Sequence, residues 1–209
     1  MQKTWRSCRD KKVYLLIKKG IVPFFLFIVS FPLLGEKDIK MLSWNIESGG
    51  NSPVVIAKQL SDYRDYDLIS LQEVDDESVS LYHEALGDNY AVVVSESGSR
   101  FNDHLLVFYK TEVLENTGAF ELHQYKNIVL VEEPGRSGLR SPLVLNLTHL
   151  PTGSDFICIT VHFTRGDAAH RILQAFTLRE WILDQTVPVV ALGDFNFDYQ
   201  FGGETGGND

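Results

Sequence analysis

The sequence predicts an α+β domain, and three observations carry this prediction. Residues 39–71 give a strand, helix, strand unit. Residues 90–163 give a series of short apolar runs parted by turn-forming residues, and residues 168–192 give a long helix followed by an apolar strand. The length of 209 residues, with 44% hydrophobic and 22% charged residues, suits one sizeable globular domain.

The first unit begins with a strand over residues 39–45, which ends in Asn45. Ser52 and Pro53 suit the N-cap and first position of a helix, and Val54, Ile56 and Leu60 begin its apolar face. A second buried strand follows over residues 67–71 and runs into Gln72 and Glu73. Residues 76–86 predict a further helix that Gly87 closes.

The middle portion predicts an antiparallel meander of strands over residues 90–94, 105–109, 127–131, 142–147 and 156–163. Asp167 can then cap a helix over residues 168–183. A mostly apolar stripe along this helix indicates an amphipathic element and consists of Ile172, Ala175, Phe176, Arg179, Ile182 and Leu183. The last strand covers residues 186–192.

The stretch VVALGDFNF at residues 189–197 predicts a functional site, because an apolar strand delivers polar residues to its exposed end. Asp194 can bind a hard divalent cation, and Asn196 can orient a substrate oxygen. Gly193 allows backbone or ligand to approach closely. The alternative for this stretch alone is a strand end followed by an ordinary Asp/Asn turn.

The N-terminal 35 residues differ from the rest in charge. They hold seven basic residues and one acidic residue, so with −9 for the whole chain the remainder carries −15. Residues 21–34 form an uncharged apolar run, shorter than the roughly 20 residues needed to span a bilayer and interrupted by Pro23 and Pro32. We therefore expect residues 1–35 to be an export signal, with a domain over residues 36–209 that is secreted or periplasmic. A membrane anchor at residues 21–34 and a buried core segment are the alternatives.

The composition also limits the partners. A net charge of −15 argues against a broad basic surface for nucleic acid, although it does not exclude a nuclease that neutralises phosphate locally. Only Cys158 lies after residue 35, so this part can form no internal disulfide, and the side chain suits a small buried hydrophobe. No protein partner is implied, and we expect a monomer.

Five polar residues stand at or just past the ends of strand candidates: Asn45, Glu73, His162, Asp194 and Asn196. Each alone could be structural, but together they predict one shared site. The chain here resembles the endonuclease/exonuclease/phosphatase family, through motifs in the order typical of that family. These are SWNI at 43–46, LQEV at 71–74, RSPLVLNL at 140–147, ITVHF at 159–163, RILQAFTLREWI at 171–182 and ALGDFN at 191–196.

The resemblance implies a four-layer α/β/β/α sandwich and a divalent-metal-dependent hydrolysis of a phosphodiester or phosphomonoester. By this resemblance Asn45, Glu73 and Asp194 belong to the site for Mg²⁺ or Mn²⁺, with Glu73 as a direct ligand. Asp194 would also position the attacking water. The remaining roles concern the phosphate: His162 would donate a hydrogen bond to it, Asn196 would bind and orient it, and Arg140 would contact it or support the site.

Other polar residues have no assigned role. His104 matches no motif of the family and is expected in a loop or at a strand edge. Arg171 and Gln174 are expected on the helix surface or in support of the site. The substrate could be a nucleic acid, a phospholipid headgroup or a small phosphoester.

The sequence departs from the family after GDFN. Enzymes of the family have a further strand that carries an Asp and a terminal Ser-Asp-His, whereas the thirteen residues after Asn196 contain neither. We therefore expect a C-terminally incomplete sandwich. The alternative function is that of a truncated, non-catalytic family member that binds metal or phosphate without turnover.

Overall fold

A computed structural model of the protein describes residues 38–47, 49–99, 101–126, 128–131 and 139–197. The predicted export segment and the residues after Phe197 lie outside this described part. Within it, no helix is both long enough and apolar enough to cross a membrane.

The first sheet contains four strands in the order β1-β2-β4-β3. Strands β1 (Met41–Asn45) and β2 (Leu68–Asp75) run parallel, and helix α1 (Pro53–Leu60) joins them. Helix α2 (Val79–Leu86) follows β2 and leads to β3 (Tyr90–Val94) and β4 (Asp103–Lys110). Strand β4 pairs antiparallel with both β2 and β3.

The second sheet has the order β10-β9-β8-β5. Strands β5 (Leu114–Glu121), β8 (Leu143–His149) and β9 (Ser154–His162) pair antiparallel in turn. Helix α3 (Ala168–Leu183) then crosses to β10 (Val189–Asp194), which runs parallel to β9. A separate short hairpin joins β6 (Gln124–Tyr125) to β7 (Ile128–Val129).

Three apolar clusters separate four layers. Because side chains alternate along a strand, each sheet buries residues on both faces. In β2, Ile69 and Leu71 pack under α1 and α2, while Leu68 faces the second sheet. On the second sheet, Cys158 faces the first sheet, and Ile159 packs under α3. The predicted α+β fold and its four-layer sandwich are therefore confirmed.

One polar contact bridges the two sheets inside this core. Ser70 of β2 and Thr160 of β9 are fully buried, and their hydroxyl oxygens lie 3.0 Å apart. The side chain of Gln72 donates a hydrogen bond to the Ser70 hydroxyl at 2.8 Å. These bonds satisfy polar groups that would otherwise be costly to bury.

The middle portion differs from the predicted meander. Strands β3 and β4 belong to the first sheet, and β5, β8 and β9 to the second, so the chain changes sheets after β4. Strand β5 was not predicted because it is an edge strand in which only Leu114 is buried. A β-bulge between Asn116 and Gly118 interrupts it further. Such a strand lacks the apolar alternation by which a strand is recognised.

The apolar stripe predicted for α3 is buried only in part, although the helix has the predicted bounds. Ala175 and Ile182 pack against the apolar cluster under the helix. Ile172, Phe176 and Leu183 are 62%, 52% and 61% exposed. The residues that α3 buries are instead Arg171, Gln174, Thr177, Leu178 and Trp181. Polar side chains can occupy this face because they form hydrogen bonds there. Gln174 and Arg171 bond to the backbone of the segment after β9, and Thr177 bonds to a carbonyl of the helix itself.

Candidate active site

Four strand ends meet at one edge of the sandwich. Parallel pairing places Asn45 at the end of β1 beside Gln72 of β2, and Asp194 at the end of β10 beside His162 of β9. Contacts between the two sheets then bring Asn45, Glu73, His162 and Asp194 together. Neither sheet alone holds this set, so the stacking of the two sheets forms the cluster.

The carboxamide of Asn45 connects the two acidic residues. Its Nδ2 donates to Oε1 of Glu73 at 3.1 Å and to Oδ2 of Asp194 at 3.0 Å. Its Oδ1 accepts a hydrogen bond from the backbone N–H of Glu47 at 3.1 Å, which fixes the orientation of the amide plane. Asn45 therefore holds one carboxylate of each sheet at a set separation.

Glu73 reaches the site through an irregularity of β2. The register between β2 and β4 shifts between Leu71 and Val74, and Glu73 adopts a φ of 59° in the left-handed region. A β-bulge redirects a side chain and is common beside functional sites. The carboxylate is partly buried, and this burial raises the pKa of Glu73, against the opposing effect of the bond from Asn45.

Gly193 sets the spacing of β10 and β9 just before Asp194. It has a φ of +128°, and a Cβ placed there would lie 2.0 Å from the carbonyl oxygen of Val161. Only glycine fits this approach. Asp194 is held in turn: its Oδ1 accepts from the backbone N–H of Asn196 at 2.8 Å, and its carbonyl accepts from the N–H of Phe163 at 2.9 Å.

His162 is buried beside the acidic residues. Its Nε2 lies 3.5 Å from Oε1 of Glu73, and its Nδ1 has no hydrogen-bond partner among the described residues. Burial, aided by the positive charge of Arg140, lowers the pKa of His162 to about 4. The imidazole is therefore neutral at pH 7, and its contact with Glu73 is not a charged pair.

Asn196 lies just past β10 with a φ of 49°, a conformation that asparagine tolerates. Its Nδ2 donates to the carbonyl oxygen of Phe163 at 2.7 Å, which links the turn after β10 to the end of β9. Asn196 thus borders the cluster and is joined to it through Asp194.

Arg140 is buried beside the cluster and forms an ion pair with Asp103. The other carboxylate oxygen of Asp103 accepts a hydrogen bond from Ser99. Asp103 was missed by the sequence analysis, and no local pattern could have revealed it, because it lies 37 positions from its partner. The pairing arises only from the stacking of β4 against the segment before β8.

Two residues of α3 support the segment after His162. Oε1 of Gln174 accepts from the N–H of Thr164 at 2.9 Å, and Nη1 of Arg171 donates to the carbonyls of Thr164 and Arg165. Both side chains are buried, so they do not lie on the helix surface and instead act in support.

His104 is also not a loop residue. It lies in β4 and is buried, with Nδ1 bonded to the carbonyl of Ser95 at 2.8 Å and Nε2 3.2 Å from Oδ1 of Asp76. Its ring therefore fixes the start of β4, near Asp103.

The donors at the cluster suit a hard divalent cation. Mg²⁺ is commonly bound by one or two carboxylates and keeps several waters. Glu73 and Asp194 supply these carboxylates, and Asn45 orients them. No three His, Cys, Asp or Glu side chains enclose a metal position within the described ranges, so an all-protein cage of such ligands is not present there. The raised pKa of Glu73 shows the cost of burying this carboxylate, which a bound cation would offset.

Comparison with known proteins gives a consistent result. The model of the endonuclease/exonuclease/phosphatase family matches residues 42–207. A search of curated proteins gave no match.

Solved structures share the fold at low sequence identity. A mannosyl-6-phosphatase of Bacteroides thetaiotaomicron is 21% identical, with a TM-score of 0.58 over 76% of this chain and 66% of that one. TDP2 of D. rerio, complexed with a single-strand DNA product, is 15% identical, with a TM-score of 0.59 over 76% and 61%. ANGEL2, a 2',3'-cyclic phosphatase, is 21% identical, with a TM-score of 0.56 over 75% and 53%.

The chain thus spans less than two thirds of the length of each of these three structures. The family match, by contrast, covers most of the chain and includes the ends of all the strands that meet at the cluster. The protein therefore belongs to the endonuclease/exonuclease/phosphatase family.

Proposed function

We propose that this protein hydrolyses a phosphoester with the help of a divalent cation, Mg²⁺ or Mn²⁺. The observation that carries the proposal is the convergence of Glu73 and Asp194 on the amide of Asn45, with His162 beside them. Two carboxylates can hold a cation and orient a water, and an amide and a neutral imidazole can donate hydrogen bonds to phosphoryl oxygens.

The cation would be held by Glu73 and Asp194, where it would neutralise phosphoryl oxygens and make a bound water more acidic. Asp194, fixed by Asn45 and Asn196, would orient the attacking water. The neutral imidazole of His162 would donate a hydrogen bond to a phosphoryl oxygen. Arg140 and Asn196 would contact or orient the phosphate beside it.

The proposal is tested by hydrolysis of a generic phosphodiester and a generic phosphomonoester, with and without EDTA. Glu73→Gln and Asp194→Asn should each reduce the rate on the order of 10²-fold or more, because each removes charge stabilisation from the reacting centre. Asp62→Asn is the matched control, because Asp62 is exposed and lies in the turn before β2, away from the strand end that carries Glu73. EDTA-resistant turnover, or full activity of both site variants, would overturn the proposal.

A second candidate is a protein that binds metal or phosphate without turnover. It is favoured by the contacts of the cluster, where His162 is the one histidine among the described residues that lies against Glu73 or Asp194, and its proposed role is to bind the phosphate. A leaving oxygen would then have no general acid beside it. This candidate predicts Mn²⁺ binding by calorimetry that Glu73→Gln abolishes, together with no hydrolysis above buffer.

We infer a small phosphoester, a phospholipid headgroup or a nucleic acid bound without sequence preference as the substrate. The acidic charge of −15 after residue 35 gives no broad basic surface for a specific nucleic-acid site. The similar structures include a mannosyl-6-phosphatase, a protein complexed with a single-strand DNA product and a 2',3'-cyclic phosphatase, so a sugar phosphate, single-stranded DNA, a cyclic phosphate and, in addition, a phospholipid define a substrate panel. The highest kcat/KM on this panel would identify the class.

We also propose that residues 1–35 direct export. The support is their charge of +6 followed by the apolar run of residues 21–34. N-terminal sequencing of the protein from its native host should find Glu36 as the first residue. An intact N-terminus in a membrane fraction would indicate the anchor instead.

A further inference from the structure

We propose that Asp103 and Arg140 form a buried charge pair that sets the affinity of the site for its divalent cation. In this pair Asp103 is a positioning residue, which holds and neutralises Arg140 beside Glu73. The inference rests on the proposed metal site but does not require turnover.

The first support is geometric. Asp103 uses both carboxylate oxygens, one for the hydroxyl of Ser99 and one for Nη2 of Arg140. The backbone N–H of Ser99 also donates to the carbonyl of Asp103 at 3.0 Å, and the hydroxyl of Ser99 accepts from the N–H of Phe101. The loop between β3 and β4 is therefore folded around this carboxylate, which fixes where the guanidinium of Arg140 lies.

The second support is the burial of Arg140. Its side chain is 9% exposed, and its Nε has no hydrogen-bond partner among the described residues. An arginine has five N–H donors, and a buried one left without partners is costly. A buried guanidinium whose Nε is unpaired within the described part of the chain, beside the candidate site, indicates that Arg140 has an electrostatic role at that site.

The third support is the sign of the two charges at the site. Asp103 pairs with Asp75 across β4 and β2, two residues beyond Glu73, and Arg140 lies three residues before Leu143, which pairs with Thr160 two residues before His162. Both charges of the pair are thus within electrostatic range of the cluster, and they oppose each other there. Removing one partner should expose the cluster to the uncompensated charge of the other.

A purely structural role would have a different signature. The pair joins β4 of the first sheet to the segment before β8 of the second, so it could simply tie the sheets together. In that case the loss of either partner would disturb the site in the same direction. A charge pair that sets metal affinity predicts opposite directions.

The test is calorimetric titration of the full chain with Mn²⁺ at pH 7, for Asp103→Asn, Arg140→Gln and the double variant. Asp103→Asn should weaken Mn²⁺ binding on the order of tenfold, because the charge of Arg140 then repels the cation without compensation. Arg140→Gln should tighten binding by a similar factor. The double variant, in which an amide pair replaces the ion pair, should return towards the wild-type affinity.

Equal affinities, or changes in the same direction for both single variants, would overturn the inference. If Asp103→Asn does not fold, as circular dichroism would show, Arg140→Gln is compared with Arg140→Lys. The inference then requires tighter binding for Gln and an unchanged affinity for Lys, and any other order refutes it. The outcome is separate from the proposed function, whose failure would appear as absence of EDTA-sensitive hydrolysis whatever the Mn²⁺ affinities.

Discussion

Replacing Gly193 by alanine should destabilise the second sheet and open the candidate site. The new Cβ would lie 2.0 Å from the carbonyl oxygen of Val161, whereas real Cβ contacts stay beyond 3.0 Å, so β10 must move by at least the 1.0 Å difference. The φ of +128° adds backbone strain of about 1–3 kcal/mol. Overpacking against β9 adds about 1–3 kcal/mol. We therefore expect the free energy of unfolding to fall by about 2–6 kcal/mol.

The same displacement should affect metal binding. A movement of this size would lengthen the 3.0 Å bond between Asn45 and Asp194 beyond hydrogen-bonding distance. Urea unfolding, monitored by tryptophan fluorescence, measures the free energy of unfolding. Calorimetric titration with Mn²⁺ measures the affinity of the candidate site for the cation.

Gly153→Ala is the matched control for this substitution. Gly153 also has a positive φ, of +66°, but a Cβ there meets no atom within 4 Å. It should cost only the conformational strain, about 1–2 kcal/mol. If Gly193→Ala costs no more than Gly153→Ala, the argument from the close approach of β10 and β9 is refuted.

Three further predictions concern residues away from the cluster. Burial raises the pKa of the Cys158 thiol to about 12. In a Cys8→Ser background this thiol should therefore not react with a disulfide reagent at pH 8 until the protein unfolds. Rapid reaction under native conditions would contradict its burial. Thr160→Val removes the hydroxyl that lies against the buried hydroxyl of Ser70, and it should lower the free energy of unfolding by about 1–3 kcal/mol. Part of this loss should be recovered when Ser70→Ala is added. Strictly additive losses in urea unfolding would refute this pairing. Asp167→Ala removes the side chain that caps α3 and should cost about 1 kcal/mol by the same assay, while Asp167→Asn should cost much less.

The polar ends of the strands could be predicted because a parallel β-α-β unit imposes a simple geometry. Its strands finish at one edge, so residues such as Glu73 and Asp194, which follow apolar runs, are brought to that edge. The bounds of α3 were also predictable, since Asp167 is a strong N-cap and its side chain does accept the N–H of His170.

What could not be predicted depends on contacts between distant segments. The buried face of α3 was predicted only in part, because an apolar stripe indicates the whole buried face only when the polar residues of the helix have no hydrogen-bond partners in the interior. Gln174 and Arg171 have such partners in the loop after β9, and this loop is fixed by the fold and not by helical periodicity. The charge pair of Asp103 and Arg140 likewise has no sequence signature.

The cluster takes Glu73 from the first sheet and Asp194 from the second, and this division has a thermodynamic consequence. A cation held by both carboxylates would be a reversible cross-link between the two halves of the sandwich. A ligand that binds only the folded state adds about 2.7 kcal/mol of stability at a hundred times its Kd. The melting temperature should therefore rise with cation concentration, and the assembly of the site can be followed without any substrate.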